Sequence, residues 1–595
     1  IREQQLDRVV VAACSPRMHE PTFRGAVFGA GMNPYLFEMS NIREQCAWVH
    51  TDRTEATRKA KDLVRAAVAR VELLEELEER YADVTKTVMV IGGGIAGIQA
   101  ALDVADAGYQ VVLVEKSPTI GGHMAQLDKT FPTLDCSACI LTPRMVEVGR
   151  HPNIKLLTLA EVENVEGSVG NFHVKVRQRP RFVDEAQCTA CGDCANVCPQ
   201  RLPNEFDLGL TTRGAIYQPF PQAVPAAFVR NARECLGTLP LACGKCILAC
   251  EKKCIDFDRQ DTIAEFQVGA VIVATGFETF DPCLAPEFGY GRYEDVVTSL
   301  EFERLLSASG STAGRIVRIS NGEIPKDVVF VHCVGSRDKS VGNEYCSRVC
   351  CMYIIKQAHL VRERVPECSV TCYYIDIRAY GKGFEEFYDR VREEGVLFRR
   401  GKPAEIFRKG ERLVVRVEDT LLGRVIEHET DMVVLGVGLV PAEGVERLGQ
   451  ILKLSQSADR FLLEAHPKLR PVDTNVEGVY LAGCCQGPKD IPDTVAQAKA
   501  AASAAIALLN RGKVRIEPVV AVVNEEACSS CHLCEALCPY HALVYDTARR
   551  SMTVNQALCK GCGVCPSACP SGAITMLHYG SQQIAVQIDA LLAGA

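Results

Sequence analysis

The sequence predicts an α/β protein with two dinucleotide-binding lobes, a cysteine-rich module inserted within them and a second such module at the end. Three observations predict this fold class. A glycine-rich loop follows the apolar strand VMVI, runs of closely spaced cysteines occupy two separate stretches, and a strand pattern, VGAVIVATG, resumes after the first of them. Apolar strands that alternate with helices are typical of doubly wound domains.

At 595 residues the chain is too long for a single hydrophobic core, so we predict several domains. The strand LDRVVVAA and the helix after it indicate a partial N-terminal α/β domain, and a charged stretch with apolar positions at helical spacing indicates a connector helix. The predicted boundaries are 1–52 for the N-terminal domain, 53–86 for the connector helix, 87–180 for the first part of the dinucleotide-binding domain, 181–261 for the insert, 262–515 for the rest of that domain and 516–595 for the C-terminal module.

Composition narrows the classes of function. A net charge of −8 without a basic face argues against nucleic-acid binding. No uncharged apolar run is long enough to cross a membrane and no export signal is present, so we expect a cytoplasmic protein without a transmembrane segment. The 30 cysteines therefore indicate metal ligands in a reducing compartment rather than a disulfide framework.

The first glycine-rich loop predicts a dinucleotide site. Gly92, Gly94 and Gly97 form G-x-G-x-x-G between a strand and a helix, a spacing that lets backbone N–H groups approach a pyrophosphate. Glu115 ends the next strand, where a carboxylate accepts hydrogen bonds from ribose hydroxyls. Further candidates for cofactor binding lie near the ends of this and later strands: Lys116, Gly122, Thr275, Gly276 and Gly483.

This set of motifs resembles the two-lobed flavoproteins of the thioredoxin reductase type, whose first dinucleotide site binds FAD. The resemblance implies a thioredoxin-reductase-like FAD domain. The sequence departs from that pattern at Cys484 and Cys485, which stand where such proteins often have an aspartate, so the flavin contact there stays open. We interpret Cys136 and Cys139, in DCSAC, as structural or flavin-lining thiols.

In the second lobe, cysteines replace the expected glycine-rich loop. The strand DVVFVHCVG is followed by Ser336, and no G-x-G-x-x-G appears. Cys333 at the strand end, with Cys346, Cys350 and Cys351 opening a predicted helix, can surround a [4Fe–4S] cluster. Buried structural cysteines are the alternative. The missing pyridine-nucleotide loop favours the cluster, because a flavin without a nicotinamide partner needs another electron route.

The C-terminal module contains the most specific pattern of the sequence. Two C-x₂-C-x₂-C-x₃-C-P runs are typical of two-cluster bacterial ferredoxins, in which the fourth cysteine of each run ligates the other cluster. A zinc site needs neither the crossed ligand nor the proline. The predicted ligand sets are Cys528, Cys531, Cys534 and Cys569 for one [4Fe–4S] cluster, and Cys559, Cys562, Cys565 and Cys538 for the other.

The insert begins with the same run but has a stretched second half, and it predicts another two-cluster ferredoxin domain. Cys254 is left over and competes with Cys250 for one ligand position. The predicted ligand sets are Cys188, Cys191, Cys194 and Cys250 for one cluster, and Cys235, Cys243, Cys246 and Cys198 for the other.

The order of these modules resembles the A subunits of heterodisulfide reductases over essentially the whole chain. Three stretches carry the resemblance: RVVVAACSPRMHEPTF, GGHMAQLDKTFPTLDCSACILTP and AGCCQGPKDIPDTVAQAKAAA. It implies flavin-based electron bifurcation in a complex, expected to be dimeric, with the B and C subunits of heterodisulfide reductase. Electrons from a hydrogenase or formate dehydrogenase would go to the heterodisulfide CoM-S-S-CoB and to ferredoxin. It also implies a sixth cluster, in the N-terminal domain, with Cys14 and Cys46 as two ligands and the others upstream of residue 1.

A cation near the flavin would stabilise its reduced, anionic form. Lys356 is our candidate, about one and a half helical turns beyond Cys351, with Glu303 as its acidic partner. A solvated surface lysine is the alternative. Two rival functions stay open: an electron-transfer component of a related bacterial complex that does not split electron pairs, and a structural scaffold with an inert flavin.

Overall fold

The computed structural model describes residues 1–238, 242–556 and 558–593, and the chain divides into two compact units. The middle of the chain, residues 84–512, forms one unit. The two ends, residues 1–83 and 513–595, together form the other.

The first lobe of the 84–512 unit is a five-stranded parallel sheet, as the glycine-rich motif predicts. Four of its strands are largely buried on both faces, which explains their nearly continuous apolar sequences, and Ile154–Leu157 is an edge strand. The helices that pack in this lobe are Ile95–Asp106, Ser137–Arg150, Val445–Leu452 and Ile491–Arg511. In spatial order the strands are Val479–Leu481, Ala270–Val273, Thr87–Ile91, Gln110–Val114 and Ile154–Leu157.

The second lobe repeats the parallel architecture, which confirms the predicted two-lobed fold. Its helices are Ser299–Leu306, Cys350–Arg364 and Phe384–Glu393. In spatial order its strands are Val296–Thr298, Met432–Val437, Asp327–Val334, Ser369–Tyr374 and Leu397–Arg400. A three-stranded antiparallel sheet, Pro403–Lys409, Arg412–Asp419 and Arg424–Thr430, lies in the same lobe.

The insert leaves the first lobe from a second antiparallel sheet. That sheet consists of Ala160–Ser168, Asn171–Gln178 and Thr262–Val268. Gln178 pairs directly with Thr262, so the two ends of the insert depart side by side and the sheet around them stays intact. Inside the insert are two short helices, Asp193–Asn196 and Lys245–Ala249, and the paired strands Leu202–Pro203 with Thr212–Arg213 and Ile216–Tyr217 with Val229–Arg230.

The unit formed by the chain ends contains the N-terminal segment and the C-terminal ferredoxin module. Parallel strands Val9–Ala13 and Phe37–Asn41 accompany the helix Pro16–Gly29. The connector helix begins at Arg53, as predicted, but ends at Val71, and Arg80–Asp83 is a strand that pairs with Lys513–Ile516. The C-terminal module has strand pairs Ala521–Val523 with Ile574–Met576 and Leu543–Asp546 with Ser551–Val554, and helices Leu533–Leu537, Val564–Ala568 and Ser581–Leu592.

Within the described residues, no helix is both long and apolar enough to cross a membrane. The long alanine-rich helix Ile491–Arg511 instead buries Ala498, Ala501, Ala502 and Ala505 in the first lobe.

Candidate flavin and iron–sulfur sites

A cavity of about 930 Å³ lies at the carboxyl ends of the first-lobe strands. The second lobe contributes to its walls through helices Ser299–Leu306 and Cys350–Arg364, and the insert contributes Phe206 and Phe220. These two phenylalanine rings stack with their centroids 4.6 Å apart. A mostly apolar cavity of this size at strand carboxyl ends is where open α/β sheets bind dinucleotides.

The glycine-rich loop is packed too closely for side chains at two of its three glycines. A Cβ atom at Gly97 would lie 1.8 Å from the carbonyl oxygen of Gly92, and one at Gly92, where φ is +109°, would lie 2.3 Å from that of Ala274. Gly94 has open space where its Cβ would be and is the N-cap of helix Ile95–Asp106. The loop therefore presents bare backbone and a helix N-terminus to the cavity, as pyrophosphate binding requires.

Glu115 is held in place by three hydrogen bonds. The N–H of Gly93 donates to its Oε2 at 2.6 Å, and the N–H and the hydroxyl of Ser117 each donate to its Oε1 at 2.8 Å. The carboxylate lines the cavity with lone pairs left for ribose hydroxyls. Lys116 also lines the cavity, half-exposed, with its Nζ 3.7 Å from Glu278.

The other predicted cofactor residues also lie at the cavity or beside it. Gly122 packs against Gly94, since a Cβ there would lie 3.1 Å from the Gly94 Cα. Gly276, with φ of +72°, follows Thr275 on the cavity wall. Gly483, with φ of +76°, packs against Ala96, because a Cβ there would lie 2.9 Å from the Ala96 Cβ.

Thr275 provides an independent test of whether a ligand fits. Its hydroxyl is buried and has no hydrogen-bond partner among the described residues. Native proteins rarely leave a buried hydroxyl unpaired, because desolvation without a compensating hydrogen bond costs about 1–3 kcal/mol. An unpaired hydroxyl on the cavity wall fits a polar group of a bound dinucleotide.

Lys356 and Glu303 are brought together at this cavity. The Lys356 ammonium donates to the Glu303 carboxylate and, at 2.9 Å, to the carbonyl oxygen of Lys129. The Glu303 carboxylate also accepts from the Gln357 amide at 2.5 Å and from the N–H of Asp128 at 3.0 Å. Both side chains of the ion pair are only 2% exposed, so the alternative of a solvated surface lysine is wrong.

His123, Glu278 and Gln357 are among the cavity residues that were not predicted. Burial alone would lower the pKa of His123, but its hydrogen bonds to Glu278 and Gln126 outweigh burial and raise that pKa. The hydrogen bond from His123 lowers the pKa of Glu278. The Oε1 atom of Gln357 is buried without a partner in the described structure. The position of His123 directly after Gly122 was the available signal for it.

Cys484 and Cys485, which follow strand Val479–Leu481, have different surroundings. Cys484 lines the cavity, where the related flavoproteins often have an aspartate. Cys485 points into the sheet, and its thiol donates to the carbonyl oxygen of Val273 at 3.1 Å. Of the two, Cys484 is therefore the one placed to contact a ligand.

The four second-lobe cysteines lie close together beside the cavity. Burial, together with the charges of neighbouring cysteines, Cys346 included, raises the pKa of the Cys333 thiol to about 11 and that of Cys351 to about 12. The pKa of Cys350 is raised in the same way, by burial and then by Cys333, Cys351 and Cys346. Buried thiolates crowded together need cations among them, and the irons of a cluster supply these.

The local structure at these cysteines differs from the prediction in one respect. Helix Cys350–Arg364 begins at Cys350, and Cys346 lies in the preceding loop, where its sulfur accepts from the N–H of Arg348 at 3.3 Å. The predicted helix start at Cys346 is wrong because Arg348 has φ of +61° and cannot continue a right-handed helix. Cys333 also has φ of +60°, which interrupts the strand pairing between Val331 and Val334.

The C-terminal module places its cysteines in the crossed arrangement. Burial, followed by the charges of Cys559, Cys562 and Cys538, raises the pKa of Cys565 to about 12. Cys534 has Cys531 and Cys569 as its charged neighbours. Cysteines make up much of the module's core, where Cys534 and Cys565 are buried and Cys528, Cys538, Cys559 and Cys569 partly buried. A core in which six cysteines pack beside Leu543, Met552, Ile574 and Met576 fits one that is completed by clusters.

The insert repeats this arrangement. Cys194 has Cys188 and Cys191 among its charged neighbours, and Cys246 has Cys235 and Cys198. Cys243 lines a small pocket together with Cys198, Cys235 and Cys246. The sulfurs of Cys250 and Cys254 are 3.5 Å apart, so distance alone does not choose between them.

Backbone conformation favours Cys250 over Cys254 as the ligand. Cys250 ends a five-residue helix with φ of −82° and ψ of 101°, close to the values at Cys538 (−74°, 110°) and Cys569 (−73°, 111°). Lys253, three residues later, has positive φ, as do His541 and Gly572 at the same distance from those two cysteines. Cys254 thus occupies the position of the buried residues Ala542 and Ala573.

The N-terminal cysteines and the DCSAC cysteines complete the set. Cys14 and Cys46 each follow the carboxyl end of one of two paired parallel strands, and the buried Cys46 thiol donates to the carbonyl oxygen of Ala56 at 2.9 Å. Cys136 and Cys139 form a disulfide at the start of helix Ser137–Arg150. Among the described residues, no three metal-binding side chains converge on the position of a single metal ion. The four cysteines of a [4Fe–4S] cluster lie farther apart than the ligands of one ion, because they surround a larger group.

Comparison with known proteins places the chain among redox proteins. A family described as FAD dependent oxidoreductase matches residues 87–137, and one described as 4Fe-4S dicluster domain matches residues 527–573. A thioredoxin reductase from T. acidophilum aligns with 72% of this chain and 99% of its own, at 14% identity and a TM-score of 0.39.

Several curated relatives are far more similar. The A subunit of the H(2):CoB-CoM heterodisulfide,ferredoxin reductase of Methanothermobacter thermautotrophicus is 55% identical over 100% of this chain and 89% of its own length. An iron-sulfur A subunit of the CoB–CoM heterodisulfide reductase of Methanopyrus kandleri is 56% identical over 91% of this chain and 83% of its own. The A subunit of the ferredoxin/F(420)H(2)-dependent CoB-CoM heterodisulfide reductase of Methanosarcina acetivorans is 49% identical over 91% of this chain and 68% of its own.

The fold and the two kinds of site define an oxidoreductase that binds FAD and iron–sulfur clusters. These relatives share about half of their residues with this chain over nine tenths or more of its length. Such a sequence identity indicates a closer relationship than a shared fold alone does. The chain belongs to the family of CoB–CoM heterodisulfide reductase A subunits. The predicted family, fold class and oxidoreductase activity are confirmed.

Proposed function

We propose that this chain is the FAD and iron–sulfur component of a heterodisulfide reductase complex that bifurcates electrons. A hydrogenase or formate dehydrogenase supplies electron pairs, and the two acceptors are CoM-S-S-CoB, reached through the B and C subunits, and ferredoxin. One observation carries the proposal: the cavity is bordered on two sides by cysteine-rich structure. Cys350 begins the helix that supplies Lys356 to the cavity, and the insert supplies Phe206 and Phe220. The relatives whose names include both a heterodisulfide and ferredoxin support the same two acceptors.

The residues that would hold FAD are the glycine-rich loop, Glu115, Thr275 and Gly483. When bound, a flavin accepts electrons in pairs and releases them singly, and each cluster carries one. Lys356, fixed by Glu303 and by the Lys129 carbonyl, keeps a positive charge at the cavity wall and so favours an anionic ligand there.

One helix links the second-lobe cysteines to the cavity. Cys350, Tyr353 and Lys356 recur at three-residue spacing on helix Cys350–Arg364, so they share one face, and the helix rises about 9 Å between the first and the last. The Tyr353 hydroxyl donates to the carbonyl oxygen of Val437 at 2.6 Å and so keeps this face against the sheet. The second-lobe cysteines are thus held at a fixed short separation from the cavity.

The insert is anchored to the same cavity by a buried ion pair. Arg304, on the second-lobe helix Ser299–Leu306, donates to Asp207 at 2.9 Å and to the carbonyl oxygen of Gln126 at 3.1 Å. Its guanidinium lies over the Phe206 ring, 4.7 Å from the centroid. The inserted cluster module therefore has a rigid attachment beside the flavin site, which suits it to a second electron route.

The experiment is to purify the complex anaerobically from its source and to supply H₂ or formate. We expect ferredoxin to be reduced only while the heterodisulfide is also being reduced, with equal numbers of electrons reaching each. Iron per flavin should be about 20 for five clusters, or about 24 with the N-terminal one. Ferredoxin reduction that continues without heterodisulfide would instead establish an electron-transfer protein that does not bifurcate. Flavin reduction by NADH alone would contradict the assignment of the second lobe.

A further inference from the structure

The Cys136–Cys139 pair stands apart from the other cysteines of this chain. It is the one disulfide in the described structure, and both of its residues are exposed at the start of helix Ser137–Arg150. Two sulfurs are too few to hold a [4Fe–4S] cluster alone. Neither residue lines the flavin cavity, so the functions proposed above leave this pair unused.

The surroundings of the pair suit thiol–disulfide exchange. The N–H of Cys139 points at the Cys136 sulfur at 3.3 Å, and Cys136 is the N-cap of the helix. A backbone donor and a helix N-terminus both stabilise a thiolate, which is the reactive form in exchange. Both cysteines are exposed, which gives an external thiol access to the sulfurs.

The disulfide belongs to a loop whose other arm forms part of the flavin cavity. The backbone of Cys136 pairs with that of Lys129 in an isolated antiparallel β-bridge. The N–H of Ser137 donates to the carbonyl oxygen of Asp128 at 3.0 Å. On the cavity side, the Lys129 carbonyl accepts from Lys356 at 2.9 Å and the Asp128 N–H donates to Glu303 at 3.0 Å. Asp128 and Lys129 therefore contact the disulfide arm on one side and the Lys356–Glu303 pair on the other.

We propose that Cys136 and Cys139 form a reversible thiol–disulfide exchange site whose oxidation state alters the surroundings of the flavin. The reductant is a thiol, R–SH. Its thiolate attacks one sulfur of the disulfide and forms a mixed disulfide, and a second R–SH displaces this as R–S–S–R. Cys136 and Cys139 gain two electrons and two protons, and the two external thiols lose the same number. Opening the bond frees the Cys136 arm and thereby the position of the Lys129 carbonyl at Lys356.

The first measurement follows the thiols themselves in the intact flavin- and iron-loaded complex. Samples are equilibrated anaerobically in graded mixtures of reduced and oxidised dithiothreitol, alkylated with iodoacetamide and digested with trypsin. The peptide of residues 130–144 contains these two cysteines and no other. We expect it to shift from two alkyl groups to none as the mixture becomes oxidising, without a singly alkylated form. A peptide that stays fully alkylated, or fully protected, at every ratio overturns the proposal.

The second measurement follows the flavin in the same samples. Between the two ends of the series we expect a shift in the flavin absorption spectrum that disappears in the double variant Cys136→Ser/Cys139→Ser. Iron content should be unchanged in that variant. Cys283→Ser, which removes an exposed cysteine elsewhere, is the matched control and should keep the shift. If the flavin spectrum changes to the same extent, or not at all, between the two ends of the series in the native protein, the double variant and the control, the link to the cavity is overturned. Neither measurement uses heterodisulfide or ferredoxin, so the result is independent of electron bifurcation.

Discussion

The ammonium of Lys356 donates to the carboxylate of Glu303 where both side chains are 2% exposed. A buried ion pair contributes little net stability compared with apolar residues of the same volume, but loss of one partner leaves an uncompensated charge. The pair therefore fixes a charge at the flavin cavity at some cost in stability.

Lys356→Ala should destabilise the protein and change the flavin while leaving the clusters in place. Removing one partner of a buried pair costs about 3–5 kcal/mol, because the Glu303 carboxylate remains buried. We expect a lower unfolding temperature and a shifted flavin potential, with iron per protein unchanged. Lys356→Ala/Glu303→Gln should recover part of the stability but not the flavin potential. The control is Lys129→Ala, which removes a side chain near Glu363 and keeps the Lys129 carbonyl; an unaltered flavin potential in Lys356→Ala would remove the lysine from the mechanism.

Two glycines of the loop should respond differently to alanine. Gly97→Ala places a methyl group 1.8 Å from the Gly92 carbonyl oxygen, so the loop itself must move, and we expect loss of FAD together with a less stable first lobe. Gly94→Ala has room in the protein but not against a pyrophosphate. It should weaken FAD binding by tenfold or more, about 1.4 kcal/mol, with little change in the stability of the flavin-free protein. Equal loss of stability in the two flavin-free variants would contradict this interpretation of the loop.

Cys250→Ser should lose one cluster, and Cys254→Ala should not. Cys250 has the backbone conformation of Cys538 and Cys569, and Cys254 has the position of Ala542. Iron analysis of the two variants distinguishes them, with a loss of about four irons expected for Cys250→Ser alone. The opposite pattern would make Cys254 the ligand.

The His123–Glu278 pair should make stability depend on pH. The pKa of His123 is raised from 6.5, so its stabilising effect is complete below about pH 6.5 and is lost as pH rises through the raised value. The pKa of Glu278 is lowered from 4.5, so its contribution is present above that value and is lost as pH falls through the lowered one. We therefore expect His123→Gln to lower the unfolding temperature most between these limits, near pH 5.5, and least in alkaline buffer.

That prediction is checked by thermal unfolding across the pH range with His173→Gln as the control. His173 also pairs with a glutamate, Glu265, but on the surface of an antiparallel sheet. Glu265 is 52% exposed and also pairs with Lys175 at 3.3 Å, so removal of the histidine should change little. If the unfolding temperature of His123→Gln differs from that of the native protein by the same amount at all pH values, the effect does not come from protonation.

The sequence predicted the sites that depend on short-range spacing and missed those that depend on folding. The glycine loop, Glu115 and the repeated cysteine runs are local patterns, and the structure gathers each of them at the cavity or in a cysteine-rich module. Gln357 carries no such pattern, because it lies on a second-lobe helix and reaches the first-lobe cavity only through folding. For His123 the only signal was its position directly after Gly122. The buried state of Lys356 was equally invisible, since Glu303 lies far from it along the chain and the two are brought together by packing of two second-lobe helices.

Two errors of the prediction have a local physical cause. The charged stretch after residue 53 continues past Val71, but the helix stops there and residues 80–83 pair with Lys513–Ile516 instead. A strand partner more than four hundred residues away leaves no trace in a helical periodicity. The start of the helix at Cys350 rather than Cys346 depends on a single left-handed residue, Arg348, of a type that rarely adopts that conformation.

The joining of residues 1–83 and 513–595 into one unit has a consequence for how the protein is made. Arg70 emerges from the ribosome early, yet its guanidinium is buried against the carbonyl oxygen of His578, at 2.9 Å, and stacks on the Tyr579 ring. Those partners are synthesised about five hundred residues after Arg70. The first stretch must therefore wait, incompletely folded, while the flavin-binding middle of the polypeptide takes shape, and a ribosome that stalls before His578 releases a product in which Arg70 keeps Glu38 but lacks the His578 carbonyl and the Tyr579 ring.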